Sequence, residues 1–334
     1  MGYPACMARR KKYRPFTPDR EQTALTPAIS GNDINGLGET DFRRPRMVYW
    51  APDPSEIPHG EMQGYFYRQS AKIPEFGERR AQRMEVIEAA LPPVANEKRR
   101  TSPMEWTADL DQFVSSNLCD MTGVAEMKQD WVFEGYEVPQ SRVIMLGVQH
   151  EYEAISKAPE AEAGLEVVDQ YIRAAKAAKA VAAWIRTQGW EAEAVTGPMT
   201  GSLAMIPPAL ACGFGELGKH GSIINPEFGA SFRLSAVLTD APFAVTSPRE
   251  SGVDDFCQNC RICQDACPPE ALFSEKKTVR GAHKWYVDFD KCLPFFNQTH
   301  GCAICIAVCP WSRPGVGMNL AAKLARRAER SNDT

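Results

Sequence analysis

The stretch CQNCRICQDACP, Cys257 to Pro268, sets four thiols at spacings of three, three and four and ends in proline. A second set follows in Cys292 and in GCAICIAVCP, Gly301 to Pro310, which carries Cys302, Cys305 and Cys309. Thiolates are soft ligands, and two sets of four match the needs of two [4Fe–4S] clusters. The run Cys-x2-Cys-x2-Cys-x3-Cys-Pro is the bacterial iron–sulfur pattern, in which the fourth cysteine serves the companion cluster. Three cysteines at i, i+3 and i+6 on a tight turn converge on three corners of a cubane, while the fourth, ahead of a proline, points away. Cys257, Cys260, Cys263 and Cys309 are therefore expected around one cluster, and Cys267, Cys292, Cys302 and Cys305 around the other. Paired CxxC motifs also bind zinc, but zinc ribbons rarely use this run, and here it is joined by a second.

The composition agrees with that reading. Of 11 cysteines in 334 residues, eight follow residue 256, while Cys6, Cys119 and Cys212 are scattered as small core residues are. Clustering at one end is unlike a disulfide framework, which a reducing compartment would not sustain. The formal charge of −4 argues against a general nucleic-acid binder, which would carry a strongly basic face. Arg9 to Lys12 are basic, yet Tyr13-Arg14-Pro15 follows where a signal peptide needs an apolar stretch. No apolar run is long enough to cross a bilayer. The expectation is a cytoplasmic protein with no membrane span and no nucleic-acid partner.

The flanking elements give an α+β chain in three regions. Residues 1–105 are rich in proline, arginine and turn residues and read as an arm or cap with little core of its own. PEFGERRAQRMEVIEAAL (Pro74 to Leu91) is its helix, and LPPVANEKRRTSP the terminator and linker. Residues 106–248 read as a mixed α+β domain. SRVIMLGVQH (Ser141 to His150) has strand length. Val168, Tyr171, Ile172, Ala175, Ala178, Val181 and Ile185 then recur at helical spacing until Gly189. SFRLSAVLTD (Ser231 to Asp240) alternates, with Phe232, Leu234, Ala236 and Leu238 on one face and Arg233, Ser235, Val237 and Thr239 on the other. Residues 249–334 form the two-cluster module and end in a basic helix, NLAAKLARRAER.

About 250 residues precede the cysteines, more than an electron carrier needs. The densest candidate for a second site runs from Thr196 to Arg233. Its Gly213, Gly215, Gly218, Gly221 and Gly229 would let backbone approach a flat or phosphorylated ligand. Neither GxxxxGK[ST] nor GxGxxG occurs there, so a nucleotide is not indicated.

GFGELGKHGSIINPEFGASFRLSAVLTDAPF, followed by the two cysteine runs and by KCLPFFNQTHGCAICIAVCPWSRPG, resembles the reductive dehalogenases over roughly residues 140–317. The cysteine motifs are shared with the related epoxyqueuosine reductases. The resemblance implies a nitroreductase-like domain holding a cobalamin-type corrinoid, followed by a ferredoxin-like two-[4Fe–4S] domain that delivers single electrons. Co(I) would then attack or bond the halogen of a small organohalide. No DxHxxG motif occurs, which fits a base-off corrinoid without a histidine ligand. The family's tyrosine acid is sought in Tyr171, with Tyr152 second, and its cation in Arg233 of FGASFR, which would hold anionic character on the tyrosine. Thr200, Gly213, Gly215, Gly218, Lys219, His220 and Gly221 are the expected corrinoid contacts. Thr200 stands in PMTG, where the family often has asparagine or lysine. Exported members carry a twin-arginine signal and large catabolic ones a fused reductase, neither seen here. The expected electron donor is therefore a separate ferredoxin, flavodoxin or reductase. The alternatives are a corrinoid reductase for a non-halogenated substrate of the epoxyqueuosine type, and a non-enzymatic electron carrier.

Overall fold

The structure, a computed structural model, describes residues 13–115, 117–197 and 201–332. Its central layer is an antiparallel sheet of β1 (Met121–Glu126), β2 (Arg142–Gln149), β3 (Ala192–Val195) and β6 (Phe232–Thr239), in the order β1-β2-β6-β3. Two short strands, β4 (Glu216–Leu217) and β5 (Ile223–Ile224), form a separate hairpin. Strand β2 pairs with β6 so that Val148 lies opposite Arg233 and Ile144 opposite Val237.

The expected strand at residues 141–150 forms as β2, and its interior is fully apolar because both faces of the sheet are covered. Val143, Ile144, Met145, Leu146 and Val148 are all completely buried. Ile144, Leu146 and Val148 pack in the cluster on the helical side, and Val143 and Met145 in the cluster under the residue 203–232 segment. The alternation expected in β6 is also present. Ala236 and Leu238 face that segment, and Val237 faces the helices.

Among the helices used below, α1 is Gly60–Ser70, α2 Pro74–Glu88, α3 Pro103–Val114 and α4 Ala161–Thr187. Helix α4 meets the sheet through Ala174, Ala177, Ala178 and Ala182, all without exposed surface, and such small side chains let backbone approach backbone closely. Gly189, at φ +82°, ends it as expected. Helix α3 occupies residues read above as linker and domain start. Ser102 and Glu105 close a capping box, with the Ser102 amide donating to Glu105 Oε2 at 2.9 Å. Trp106, Leu110 and Val114, one turn apart, are buried under it.

The iron–sulfur module contains α5 (Val253–Asn259), α6 (Ile262–Ala266), α7 (Phe289–Gln298), α8 (Ile304–Ala307) and the basic α9 (Val316–Asn332). The N-terminal segment buries its apolar residues against this module. Tyr49 and Met62 cluster with Leu293. Tyr49 Oη donates to Asn297 Oδ1 at 2.6 Å, and Asn297 Nδ2 donates to Gln22 Oε1 at 2.7 Å. Gln22 and Asn297 are fully buried, so these bonds satisfy groups that water cannot reach. Among the described residues, no helix is long and apolar enough to cross a membrane.

The segment under the sheet is locked to the module where chain approaches chain. Gly229, at φ +61°, would place a Cβ 2.3 Å from Ser312 Cα, and the adjacent Ala230 amide donates to Ser312 Oγ at 3.1 Å. A Gly229→Ala substitution combines a left-handed backbone with a backbone clash, and should cost about 2–4 kcal/mol. Thermal denaturation should show a melting temperature several degrees lower. An unchanged value would mean that the turn moves away freely.

Candidate functional site

The eight thiols gather in the two expected sets. Burial pushes the Cys263 thiol up, and its neighbours Cys309, Cys257 and Cys260 push it further. Burial likewise raises Cys302, beside Cys292 and Cys267, and Cys305, beside Cys302, Cys292, Cys263 and Cys267. Cys263 and Cys305 are thus where the sets approach each other. Cys309, from the second motif, stands with the first set, and Cys267, from the first motif, with the second. Cys257 is raised to about 11 and Cys309 and Cys292 to about 12, chiefly by burial. The free thiols therefore hold their protons, and metal binding has to displace them.

The surroundings fit iron–sulfur clusters. Amide N–H groups of Lys219, Gln264, Ala271, Ile304 and Trp311 are directed at the sulfurs of Cys257, Cys263, Cys267, Cys302 and Cys309. Such bonds stabilise thiolate and orient it. Among the described residues no three His, Cys, Asp or Glu side chains are close enough to share a single metal ion.

Beside the second set lies a cavity of about 390 Å³, lined on one side by Tyr171, Arg233 and Gly197 and reaching Ile306, next to Cys305. A recess of about 350 Å³ adjoins it and reaches Cys292. The two share Met47, Trp50 and Phe133 as a common wall. Trp50 is held edge-on to Tyr49, Phe66 and Phe296. At the polar end, the Arg233 and Arg83 guanidinium carbons lie 5.2 and 5.5 Å from the centre of the Tyr171 ring. Burial lowers the pKa of Arg83 from its ordinary value, and the neighbouring Tyr171 and Tyr67 oppose that shift. Arg233 Nε is buried without a partner. Burial, and then Arg233, hold His150 well below the usual histidine range, so the imidazole, with Nδ1 3.1 Å from Ser231 Oγ, is neutral.

The expected site residues divide. Tyr171 and Arg233 come together at the cavity. Tyr152 instead packs against the apolar cluster that includes Cys263 and Cys267, and lines neither recess. Gly213, Gly215, Gly218 and Gly221 also line neither, and their turns account for them. Gly215 would drive a Cβ to 2.1 Å from Ile224 O, and the Gly221 amide closes the β4–β5 hairpin on Gly218 O at 2.9 Å. Lys219 and His220, expected at the corrinoid, are buried on the side of the cysteines or within the hairpin. Lys219 Nζ donates to Cys260 O at 2.9 Å. Burial lowers His220 to about 4, and its Nδ1 accepts the Ser222 amide at 3.2 Å. Thr200 lies outside the described residues. The glycines that do line the cavity are Gly197 and Gly201. Gly197, at φ +121°, lets the chain pass where a Cβ would stand 3.4 Å from Tyr171 Cδ1. Arg83 and Trp50 come from the N-terminal segment, and no local pattern in the sequence marks them.

A 4Fe-4S dicluster domain matches residues 256–312, which contain all eight of these cysteines. The tetrachloroethene reductive dehalogenase of Desulfitobacterium hafniense is 33% identical over 228 residues, 64% of this chain and 40% of that protein. A solved reductive dehalogenase, described with a mechanism for B12-dependent dehalogenation, superposes with a TM-score of 0.64 at 22% identity over 81% of this chain and 40% of its own. The epoxyqueuosine reductase of Bacillus anthracis is 32% identical over only 127 residues, 33% of this chain and 30% of that protein. The chain spans about two fifths of the length of the dehalogenases that it matches.

Exchange of one cysteine between the motifs is testable. In protein reconstituted with iron and sulfide, Cys309→Ala should damage the same cluster as Cys257→Ala, and Cys267→Ala the same cluster as Cys292→Ala. Each pair should share one paramagnetic resonance signature. Pairing of Cys309 with Cys302 would overturn the assignment.

Proposed function

The chain belongs to the reductive dehalogenase family, and on that premise we propose that it replaces the halogen of a small organohalide with hydrogen, using two [4Fe–4S] clusters and a corrinoid. The observation that carries this reading is Tyr171, with Arg83 and Arg233 over its ring, lining together with Arg233 a cavity whose adjoining recess reaches Cys292 of the second thiol set. The balance is one organohalide, two electrons and one proton in, and one halide and one carbon–hydrogen bond out.

Cys257, Cys260, Cys263 and Cys309 would hold the first cluster, and Cys267, Cys292, Cys302 and Cys305 the second. The adjoining recesses, with their shared wall of Met47, Trp50 and Phe133, suit a flat macrocycle. A bound corrinoid would supply the cobalt centre at which electrons reach the carbon–halogen bond. A base-off cofactor, held without a histidine ligand, is the form that this reading expects.

The chain's own groups do the rest. Tyr171 Oη would donate the proton to carbon, as a positioned acid. Arg83 and Arg233 would stabilise the phenolate left behind and hold an anionic group of the substrate. Met47, Trp50 and Phe133 would exclude water and grip the apolar body. Electrons would come one at a time from a ferredoxin, flavodoxin or reductase. The cytoplasm, which keeps thiols reduced, is the compartment that this reading favours.

The test is halide release from chlorinated ethenes and halogenated phenols by protein reconstituted with iron, sulfide and cobalamin under a strong chemical reductant. Tyr171→Phe should lower turnover by about 10²–10⁴-fold while cobalamin stays bound. Arg83→Met and Arg233→Met should each lower it by about tenfold or more. No halide from any substrate, with cobalamin bound, would defeat the proposal. Full turnover in Tyr171→Phe would move the proton donor elsewhere.

A further inference from the structure

Lys219 follows the β4 strand in a hairpin between the cavity segment and the cysteines, and only 2% of its surface is exposed. A buried ammonium is costly unless negative charge or strong acceptors surround it. Its Nζ donates to the Cys260 carbonyl at 2.9 Å and lies 5.0 Å from the centre of the Trp285 ring. None of the ion pairs among the described residues includes it. The nearby carboxylate, Asp254, is bound to Lys276 at 2.6 Å and accepts from Trp285 Nε1 at 2.8 Å. The Lys219 amide is also directed at the Cys257 sulfur, and its positive charge favours that thiolate. One residue thus brings an amide and a buried cation to the first thiol set and nowhere else.

A [4Fe–4S] centre held by four thiolates is anionic, and taking up one electron adds a further negative charge with no bond made or broken. A fixed cation in a poorly solvated setting stabilises the reduced form more than the oxidised one. We propose that Lys219 supplies the counter-charge of the Cys257–Cys260–Cys263–Cys309 cluster and raises its reduction potential, so that this cluster accepts electrons from a weaker donor than it otherwise could. Lys219 is a positioning residue and touches no substrate. The inference rests on the iron–sulfur reading of residues 256–312, and not on the corrinoid or on dehalogenation.

The experiment is a potentiometric titration of the full chain, reconstituted with iron and sulfide and followed by paramagnetic resonance. Lys219→Met removes the charge and the donor, Lys219→Gln keeps a donor without charge, and Lys219→Arg keeps the charge. In both neutral variants one cluster should become at least about tenfold harder to reduce, a negative shift of about 59 mV for a one-electron couple, with the other unmoved. The arginine variant should stay within about threefold of the parent. Neutral variants that carry iron for two clusters at parental potentials would overturn the proposal. So would neutral variants that lose one cluster and leave the other unshifted, since Lys219 would then be structural. A parent chain that takes up no iron would remove the iron–sulfur reading itself.

Discussion

Each thiol set borrows one cysteine from the other motif. Cys309 comes back to the first set from a motif some 50 residues on, and Cys267 leaves the first motif for the second set. Neither half of the module can complete a set of four thiols alone, so both must be in place before either set closes. The backbone is built for this. Cys302 and Ala303 take left-handed φ values of +53° and +65° to turn the chain into α8, and the α7 helix that carries Cys292 is tied down by the buried Asn297–Gln22 pair. The N-terminal segment is thus part of the support for the second set, and not a detached cap.

Geometry beyond the thiols follows from that packing. Ile306 of the module, Tyr171 and Arg233 line the first recess, and Cys292 lines the one that adjoins it. The first set lies on the far side, where Cys260 borders a groove with Gln258, Arg261 and the α9 helix. Cys263 and Cys305 are where the two sets come near each other. The buried cations divide between them, with Lys219 beside the first set and Arg83 and Arg233 over the Tyr171 ring.

Much of this was legible in the sequence, and the limits have physical causes. The two cysteine sets announce themselves because their spacing is local. β2, α4 and β6 were legible because buried elements keep their hydrophobic period. Tyr171 and Arg233 were reached through the family resemblance and lie together here. Arg83 was not reachable, since 88 positions separate it from Tyr171 and nothing in its own helix sets it apart. The glycines after residue 212 report backbone freedom without its cause, which for Gly215 and Gly218 is the close passage of Ile224. The start of helix α3 falls between the expected linker and domain, although Ser102-Pro103-Met104-Glu105 carries a capping box. Lys219 stood out in the sequence, but which neighbour it serves is a matter of tertiary contact.

The central claim is that the second thiol set and the cavity behind it form one electron path to a bound corrinoid. The most direct measurement is paramagnetic resonance on protein reconstituted with iron, sulfide and cobalamin, after free cofactor has been removed by gel filtration. About one cobalt per chain should be retained, and its spin relaxation should quicken when the neighbouring cluster is reduced. Full iron content with no cobalt retained, or cobalt whose relaxation ignores the state of the clusters, would contradict the account.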